Sequence, residues 1–326
     1  MLRAITLIAG LCVCLSTADA FDLQGHRGAR GLVPENTLAA FKAALSIGVT
    51  TLELDVGLSK DGVLVVYHDR WLNPAFTRDG EGGFLSGRGP LVRNLTVEEL
   101  KRYDVGRLNP ALPYAKTFPE QRPADGERIP TLAEVFDLVS RSGADKVRFN
   151  IETKLSPNAP EDTAAPDAFA QALAAAIREA GLALRATVQS FDWRTLKAMQ
   201  RIAPEIERVC LTTESANFDT IQRGKPGASP WTAGLDVDDY GGSTPRLVEI
   251  AGCQVWSPAF RDLKPESLAE ARALKLKVMP WTVNERADME RLLAMDVDGI
   301  ITDYPNRLRA LMAERGMALP PAVSVR

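Results

Sequence analysis

The sequence has few histidines, few cysteines and no excess of basic residues. Its 326 residues include two histidines and four cysteines, and the net charge at pH 7 is −3. A nucleic-acid-binding protein would normally present a basic surface, so we expect no nucleic-acid partner. Hydrophobic residues make up 45% and charged residues 25% of the chain, which is the composition of an ordinary globular protein.

The first twenty residues contain an apolar run that is short for a bilayer-spanning helix. Arg3 precedes this run, and Ala18-Asp19-Ala20 after it matches the small-x-small pattern of a signal-peptide cleavage site. We therefore predict a cleaved signal peptide over residues 1–20. The mature protein would then be exported, periplasmic or secreted, and would keep no stable membrane anchor. A retained membrane anchor is the alternative.

Cleavage would remove Cys12 and Cys14 and leave Cys210 and Cys253. In an exported protein these two residues could form a disulfide. Both lie in apolar, strand-like runs, where a buried free thiol is equally ordinary. The sequence leaves both alternatives open.

Strand-like and helix-like segments alternate along most of the chain. Eight strand-like runs, counted from residue 21, are separated mainly by amphipathic helical segments. This alternation indicates an α/β protein with a parallel sheet, and eight repeats predict a closed TIM (β/α)₈ barrel built from residues 21–69 and 130–326. A doubly wound open sheet is the alternative, although no G-x-G-x-x-G loop follows the first strand.

Residues 70–129 interrupt the alternation. This segment is rich in Gly, Arg and Pro and contains one helical stretch. It is too long for a simple connection between two barrel elements. We predict that it is an inserted cap segment that follows the second strand region and covers the mouth of the site.

Three carboxylates are predicted at the carboxyl ends of neighbouring strands. Glu53 and Asp55 are two residues apart on the second strand and therefore point to the same face. Glu152 ends the third strand, and active sites of such barrels lie at this end. Carboxylate oxygens suit one divalent cation, Ca²⁺ or Mg²⁺, better than zinc. Solvated charges on an edge strand are the alternative for Glu53 and Asp55.

Both histidines lie close to charged residues. His26 is followed by Arg27, and His68 is delivered back towards Glu53 by a hairpin at Asp61-Gly62. Each histidine could bind a metal or act as a general acid or base near neutral pH. With Arg27 and Lys154 as cations beside the metal, the leading chemistry is hydrolysis of a phosphoryl ester in a small-molecule substrate.

A set of spaced motifs resembles the glycerophosphodiester phosphodiesterase family. The motifs are H-R-G-x(6)-E-N-T, E-x-D, H-D and E-x-K. In this chain they are His26-Arg27-Gly28, Glu35-Asn36-Thr37, Glu53 with Asp55, His68-Asp69, and Glu152 with Lys154. The W-T-V-N of residues 281–284 and the D-G-I-I-T-D-Y-P of residues 298–305 are also similar to that family.

The resemblance implies a TIM barrel with a small insertion and a metal-dependent enzyme. The expected reaction converts a glycerophosphodiester, such as glycerophosphocholine or glycerophosphoethanolamine, to an alcohol and sn-glycerol 3-phosphate. By resemblance, Glu53, Asp55 and Glu152 bind the metal, His26 and His68 are the acid and base, Arg27 and Lys154 bind phosphate, and Trp281 packs against glycerol. Which histidine is the base stays open, as does direct attack by water against a cyclic phosphate intermediate.

Other residues have two interpretations each. Glu35 and Asn36 either cap the first helix or support the site, and Asn36 or Thr37 is the expected cap. Gln189 and Phe191 either line the site or pack in the core. Asp69 is expected to support His68. Three more residues follow from their positions: Asn284 ends the seventh strand, Asp303 is expected to fix the last loop, and Tyr67 is expected in the core.

Two alternative functions stay open. A lysophospholipase D or sphingomyelinase D-like phosphodiesterase would need an apolar groove for an acyl chain, which the insertion could build from Trp71, Phe76, Phe84 and Leu85. A non-catalytic phosphate- or polyol-binding barrel would lack a histidine or a carboxylate of the motifs, and all of them are present. The sequence gives no prediction of oligomeric state.

Overall fold

The computed structural model describes residues 21–325, so the predicted signal peptide lies outside the described residues. The described chain contains β1 (Asp22–Gly25), β2 (Thr51–Leu58), β3 (Leu64–Val66), β4 (Arg148–Thr153), β5 (Ala186–Ser190), β6 (Glu207–Thr212), β7 (Glu214–Ser215), β8 (Phe218–Asp219), β9 (Val255–Pro258), β10 (Lys277–Val278) and β11 (Gly299–Thr302). Its helices are α1 (Leu38–Ile47), α2 (Val97–Leu100), α3 (Pro113–Thr117), α4 (Leu132–Arg141), α5 (Pro166–Glu179), α6 (Trp193–Ile202), α7 (Thr244–Ile250), α8 (Pro265–Ala273), α9 (Arg286–Ala294) and α10 (Pro305–Glu314). Four short 3₁₀ turns cover Val92–Asn94, Pro160–Asp162, Pro230–Thr232 and Val237–Tyr240.

Eight parallel strands form the barrel, in the order β10-β9-β6-β5-β4-β2-β1-β11. Backbone hydrogen bonds join the two ends of this order: the Asp298 amide donates to the Val278 carbonyl at 3.2 Å, and the Ile301 amide donates to the Pro280 carbonyl at 3.0 Å. The predicted (β/α)₈ barrel is therefore confirmed, and the open doubly wound sheet was the wrong alternative. Strand β3 pairs antiparallel with β2 and forms the hairpin expected at Asp61-Gly62.

The local signals around α1 explain how the first strand is connected to the second. Thr37 caps α1, because its side chain accepts a hydrogen bond from the Ala40 amide. Gly48 ends the helix in the left-handed conformation, with φ at 89°. Asn36 does not cap the helix, so of the two expected caps only Thr37 has that role.

The interior of the barrel has two chemically different halves. Two side-chain hydrogen bonds connect strands that are not neighbours and therefore cross the interior: Asn150 Nδ2 of β4 donates to Gln24 of β1 at 2.9 Å, and Gln189 of β5 donates to Glu53 of β2 at 2.7 Å. Asn150 Nδ2 also donates to Gln189 on the neighbouring strand at 2.9 Å. Gln24 in turn donates to Asp22. We call this side, supplied by β1, β2, β4 and β5, the polar half.

The other four barrel strands supply the apolar half. Val209, Val255, Met279 and Ile301 form a separate buried hydrophobic cluster, with Trp281 packed against it. Branched and other apolar side chains of this kind usually fill a barrel interior throughout. In this chain they fill one side, because the opposite side is occupied by hydrogen-bonded amides and carboxylates.

Residues from the hairpin and the insertion share a small hydrophobic core of their own. The buried members of this cluster are Val65, Tyr67, Leu72, Ala75, Phe76, Val92, Leu100, Val105 and Ile129. Tyr67 is buried, as expected, and its hydroxyl also accepts a hydrogen bond from the Asn73 amide at 2.7 Å. The cluster includes residues on both sides of position 70, so the insertion packs against the end of the hairpin.

A disulfide joins Cys210 of β6 to Cys253, which lies two residues before β9. Their Cα atoms are 5.9 Å apart. Of the two alternatives left open by the sequence, the structure therefore has the disulfide. Among residues 21–325, no helix has both the length and the hydropathy needed to cross a membrane.

Candidate active site

The three predicted metal ligands converge at the carboxyl ends of β2 and β4. Asp55 and Glu152 are partners in the parallel register of these strands, and Glu53 lies two residues earlier on the same face. One carboxylate oxygen of each residue lies within 4.8 Å of the others, and all three side chains are buried. The three carboxylates therefore converge on one point, as the sequence predicted.

The charges of this cluster are not balanced by protein groups alone. Burial, together with repulsion from Asp55 and Glu152, raises the pKa of Glu53 well above its usual value. The pKa of Asp55 is lowered, because Arg27 and Lys154 outweigh the effect of burial. Asp55 Oδ1 is buried and accepts no hydrogen bond. Three converging carboxylates, with a buried oxygen that accepts no hydrogen bond, fit a hard divalent cation.

Two amide side chains fix the orientation of the carboxylates. Gln189 Nε2 donates to Glu53 Oε1 at 2.7 Å, while the Arg27 amide donates to Glu53 Oε2 at 2.8 Å. Asn36 Nδ2 donates to Asp55 Oδ2 at 2.8 Å. Asn36 has φ at 56°, an uncommon value for a non-glycine residue and one that such networks can hold in place. Gln189 thus lines the cavity and orients Glu53, and Asn36 lies behind Asp55 rather than at a helix cap.

The two predicted phosphate-binding cations lie beside the carboxylates. Lys154 Nζ is 2.5 Å from Glu152 Oε1 and 3.5 Å from Asp55 Oδ1. Arg27 Nη1 donates to Glu35 Oε1 at 2.5 Å, and its Nε is 3.1 Å from Asp55 Oδ2. Glu35 therefore orients Arg27 and does not cap α1.

The insertion also contacts this network, mainly through Tyr114. Tyr114, in α3, donates a short hydrogen bond to Glu35 from its hydroxyl, and it accepts one from Arg30 at 3.3 Å. Arg30 also lies 4.8 Å from the ring centre of Phe118, in the same part of the insertion. The insertion thus supports the Arg27 side of the site from outside the barrel.

His26 belongs to a buried network with Asp303. Its Nδ1 is 2.7 Å from Asp303 Oδ1, and its Nε2 is 3.8 Å from Glu53 Oε2. Arg30 and Asn284 also donate to Asp303. Burial, with a contribution from Arg30, lowers the pKa of His26 to about 4. The ring is therefore neutral near pH 7, and the hydrogen bond assigns the Nδ1 proton to the Asp303 side, which leaves the Nε2 lone pair towards the carboxylates.

His68 has a similar partner in a more open position. Its Nδ1 is 2.6 Å from Asp69 Oδ1, and Asn73 donates to the other oxygen of Asp69 at 2.5 Å. Burial opposes ionisation of Asp69, but the hydrogen bond and charge of His68 hold its pKa at about 2. The His68 side chain is 28% exposed, against 11% for His26. The site therefore has one buried and one open His–Asp pair.

Sequence reasoning missed Arg30 and assigned Asp303 a purely structural position. Asp303 does fix the last loop through Asn284, but it also binds the first histidine. A buried arginine needs a carboxylate partner, but nothing in the local sequence distinguishes Arg30 from a surface arginine. The burial of Arg30 was not visible in the sequence.

A cavity of about 380 Å³ opens over these groups. One side is charged and the other is apolar. The lining residues are His26, Arg27, Arg30, Glu53, His68, Glu152, Lys154 and Gln189 on the charged side, with Leu155, Phe191, Leu211, Phe218, Trp231, Trp281, Thr282 and Ile301 on the other. Phe191 therefore lines the cavity, as one of its two interpretations expected.

The apolar side does not come from the insertion. Trp71, Phe76, Phe84 and Leu85, which the sequence offered for an acyl groove, are absent from the lining of this cavity. Phe76 is buried in the small core of the insertion, and Trp71 lies against the guanidinium of Arg88, 4.0 Å from the ring centre. That expectation was wrong because these side chains are used to hold the insertion itself together.

The comparisons with known proteins agree with this geometry. The model of the glycerophosphoryl diester phosphodiesterase family matches residues 26–307. A glycerophosphodiester phosphodiesterase of Caldanaerobacter subterraneus subsp. tengcongensis is 33% identical over 295 residues, which are 89% of this chain and 97% of that protein.

Two solved structures are similar in fold. A Silicibacter pomeroyi protein, proposed to be a glycerophosphoryl diester phosphodiesterase, superposes with a TM-score of 0.81 at 36% identity, over 92% of this chain and 95% of that one. An Oleispira antarctica phosphodiesterase, solved with the product sn-glycerol-3-phosphate, has a TM-score of 0.64 at 22% identity, over 89% and 96% of the two chains. At this low identity, the similarity to the second structure supports the fold alone. The chain therefore belongs to the glycerophosphoryl diester phosphodiesterase family, a family of phosphodiesterase enzymes.

Proposed function

We propose that this enzyme hydrolyses glycerophosphodiesters to an alcohol and sn-glycerol 3-phosphate. The observation that carries the proposal is the convergence of two His–Asp pairs, three carboxylates and two cations on one cavity. The name of the Caldanaerobacter relative supports the choice of substrate, and the Oleispira antarctica structure is an example of a protein of this fold that holds sn-glycerol-3-phosphate.

The cofactor of the proposed reaction is one divalent cation, Ca²⁺ or Mg²⁺, held by Glu53, Asp55 and Glu152. Such a cation would polarise a phosphoryl oxygen and offset negative charge in the transition state. Arg27 and Lys154 bind the remaining phosphoryl oxygens, since both side chains lie beside the carboxylates and carry fixed positive charge.

The two histidines take different roles in this proposal. Neutral His26 accepts the proton of the attacking oxygen at Nε2, because its Nδ1 is already committed to Asp303. His68, at the more open edge of the cavity, donates a proton to the departing alcohol and is oriented by Asp69. This assignment applies whether the attacking oxygen belongs to water or to a glycerol hydroxyl. Detection of a cyclic phosphate by ³¹P NMR would distinguish the two.

We also propose that the protein is exported and that residues 70–129 act as a cap. The disulfide supports export, because disulfides persist mainly in oxidising compartments. The hydrogen bond from Tyr114 to Glu35 supports the cap. N-terminal sequencing of the protein from fractionated cells tests export, and a mature chain that begins at Met1 would contradict it.

A substrate panel with metal add-back tests the reaction. The protein is treated with EDTA, supplied with Ca²⁺ or Mg²⁺, and offered glycerophosphocholine and glycerophosphoethanolamine while sn-glycerol 3-phosphate is measured. We expect activity that is lost in EDTA and restored by one of the two ions. A folded protein that is inert on every glycerophosphodiester with either ion would overturn the proposal.

A further inference from the structure

Four aromatic rings form a continuous wall on the apolar side of the cavity. In spatial order they are Trp281, Phe191, Phe218 and Trp231, and we call them the aromatic wall. Successive ring centres are 5.3, 5.1 and 5.2 Å apart, and each pair meets edge to face. Trp281 and Phe191 follow barrel strands, whereas Phe218 and Trp231 come from the long connection between β6 and α7.

The wall begins beside the phosphate-binding groups. Lys154 Nζ lies 6.0 Å from the ring centre of Phe191. A phosphodiester held by Lys154 would therefore carry one of its two substituents directly onto the rings. Continuity with the charged side makes the wall a part of the substrate cavity rather than a separate surface.

Hydrogen bonds fix the position of the hairpin that bears the outer part of the wall. Phe218 lies on β8 of the β7–β8 hairpin and is 37% exposed, which is unusual for a large apolar side chain. Thr220 closes the hairpin base through its hydrogen bonds with Thr213, and the Glu214 amide donates to Asp262 at 2.9 Å. Because Phe218 belongs to a contiguous row of four rings that line one cavity, its exposure indicates a binding surface rather than a single stray apolar side chain.

The chemistry around the wall disfavours a cationic ligand. The carboxylates that line the cavity are Glu53 and Glu152, both in the metal-binding cluster. On the hairpin, Glu214 pairs with Arg223 and Asp219 pairs with Lys225. A quaternary ammonium on the rings would face the positive charge of Lys154 near Phe191, and the four carboxylates named above are committed to the metal-binding cluster or to ion pairs, although ring faces alone would attract it.

We propose that the aromatic wall binds a neutral apolar group, alkyl or acyl, carried by the phosphodiester. This proposal rests on the proposed function, because it assigns the substrate class of the same site. The polar side then holds the phosphate and the glycerol hydroxyls, the innermost ring, Trp281, is left for the glycerol carbons, and the apolar group lies on Phe191, Phe218 and Trp231. The apolar side removes hydrocarbon from water and so discriminates in favour of substrates more apolar than glycerophosphoethanolamine.

The test measures kcat/KM of the metal-loaded protein on a series of glycerophosphodiesters. The leaving alcohols are methanol, butanol and octanol, together with choline and its neutral isostere 3,3-dimethylbutanol. A second arm compares glycerophosphoethanolamine with its 1-acyl derivative, and so distinguishes an apolar group on the alcohol from one on the glycerol. We expect kcat/KM to rise about threefold to fourfold for each methylene that reaches the wall.

Two variants sharpen the test. Phe218→Ser should lower the ratio of kcat/KM for the favoured apolar substrate to that for its short counterpart by about tenfold, which corresponds to the loss of one aromatic contact surface. Leu184→Ser is the matched control, because Leu184 is 92% exposed and lies just before β5, at the opposite end of the barrel. It should leave this ratio unchanged.

The outcomes separate the two proposals. Measurable turnover with no preference for apolar groups in either arm would overturn the role of the wall and leave the hydrolysis in place. A preference for choline over 3,3-dimethylbutanol would overturn it in favour of a cation site, and so would an unchanged ratio in Phe218→Ser. No turnover of any diester would overturn the proposed function itself.

Discussion

The two halves of the barrel interior have the same strand geometry but are held together by different interactions. In the polar half, the interior side chains of β1, β2, β4 and β5 are joined by hydrogen bonds from Asp22 up to Glu53. In the apolar half, the cluster of Val209, Val255, Met279 and Ile301 needs contact but no specific partner. A buried polar network is stable only when each member is satisfied, whereas apolar contacts tolerate exchange.

This difference assigns separate tasks to the two halves. The polar half holds the carboxylates and the histidines, whose positions the chemistry fixes to a fraction of an ångström. The apolar half continues upward into the aromatic wall, which senses the size and polarity of a substituent. Chemistry and substrate preference should therefore respond to different substitutions, and the following predictions test that separation.

The largest effect is expected at the two histidines. His26→Ala and His68→Ala should each lower kcat by about 10²–10⁴-fold, the range for a lost acid or base. Urea unfolding should show that both variants still fold cooperatively. Either variant with full turnover would remove that histidine from the mechanism, and we expect no comparable loss of kcat in Leu184→Ser.

Glu53→Gln should weaken metal binding about a hundredfold or more by calorimetry, since a ligand contributes more than the outer groups that orient it. The metal-free variant should be at least as stable as the parent. Burial and repulsion raise the pKa of Glu53, so ionised Glu53 opposes folding near neutral pH. Unaltered metal affinity would contradict its role as a ligand.

Stability should depend on pH through His26. Its pKa is lowered from 6.5 to about 4 in the folded chain, so the unfolded chain binds the proton more readily between these values. The free energy of unfolding should therefore fall as the pH is lowered, by about 2 kcal/mol between pH 7 and pH 5 from this group. Urea titrations in EDTA at both pH values, with His26→Gln as the reference, measure the difference. Equal pH dependence of the two proteins would contradict the assignment.

A substitution in the polar half should lower the metal affinity even when the substituted residue is not a metal ligand. Asn150→Leu removes the donor that Gln24 Oε1 and Gln189 Oε1 share, and leaving these buried oxygens unsatisfied should cost about 1–3 kcal/mol of stability. Because Gln189 orients Glu53, metal affinity should also fall about tenfold. Met279→Ala in the apolar half is the control: it should cost about 2–5 kcal/mol and leave metal affinity unchanged. Loss of affinity in both variants would mean that stability alone sets it.

The smallest effect is expected where the insertion meets the barrel. Tyr114→Phe removes the hydrogen bond to Glu35 and leaves the ring in place. We expect KM to rise about threefold while kcat stays nearly constant, because one neutral-to-charged hydrogen bond that orients Arg27 is lost. Tyr103→Phe, in the same hydrophobic cluster, is the matched control. An equal change in both variants would indicate a general effect on the insertion.

Local signals predicted the barrel well because each depends on few residues. Alternating strands and helices gave the eight repeats, and Gly48 ended α1 where expected. The ligand set was predictable because Glu53 and Asp55 share a strand face and parallel register brings Glu152 beside them. Each of these inferences uses backbone periodicity, which the sequence carries directly.

The sequence was less informative about side chains whose partners lie far away along the chain. Asn36 could have capped α1, and only the folded chain shows that it binds Asp55 instead. The apolar surface was expected in the insertion but lies on Phe218 and Trp231, in a loop without hydrophobic periodicity. The contact of His26 with Asp303 joins residues 277 positions apart, which no local pattern predicts.

The loop that bears Phe218 and Trp231 lies inside the disulfide-closed segment of the chain. Cys210 and Cys253 are 43 residues apart in sequence, and the bond between them covalently joins the two ends of the segment that contains this loop and α7. A protease that cut inside it would leave both fragments attached to the barrel. Insertions or deletions between the cysteines would likewise change the cavity without moving the strands on either side. Grafting loops of other lengths between β6 and α7, inside the disulfide, therefore offers a route to new substrate preferences on an unchanged catalytic half.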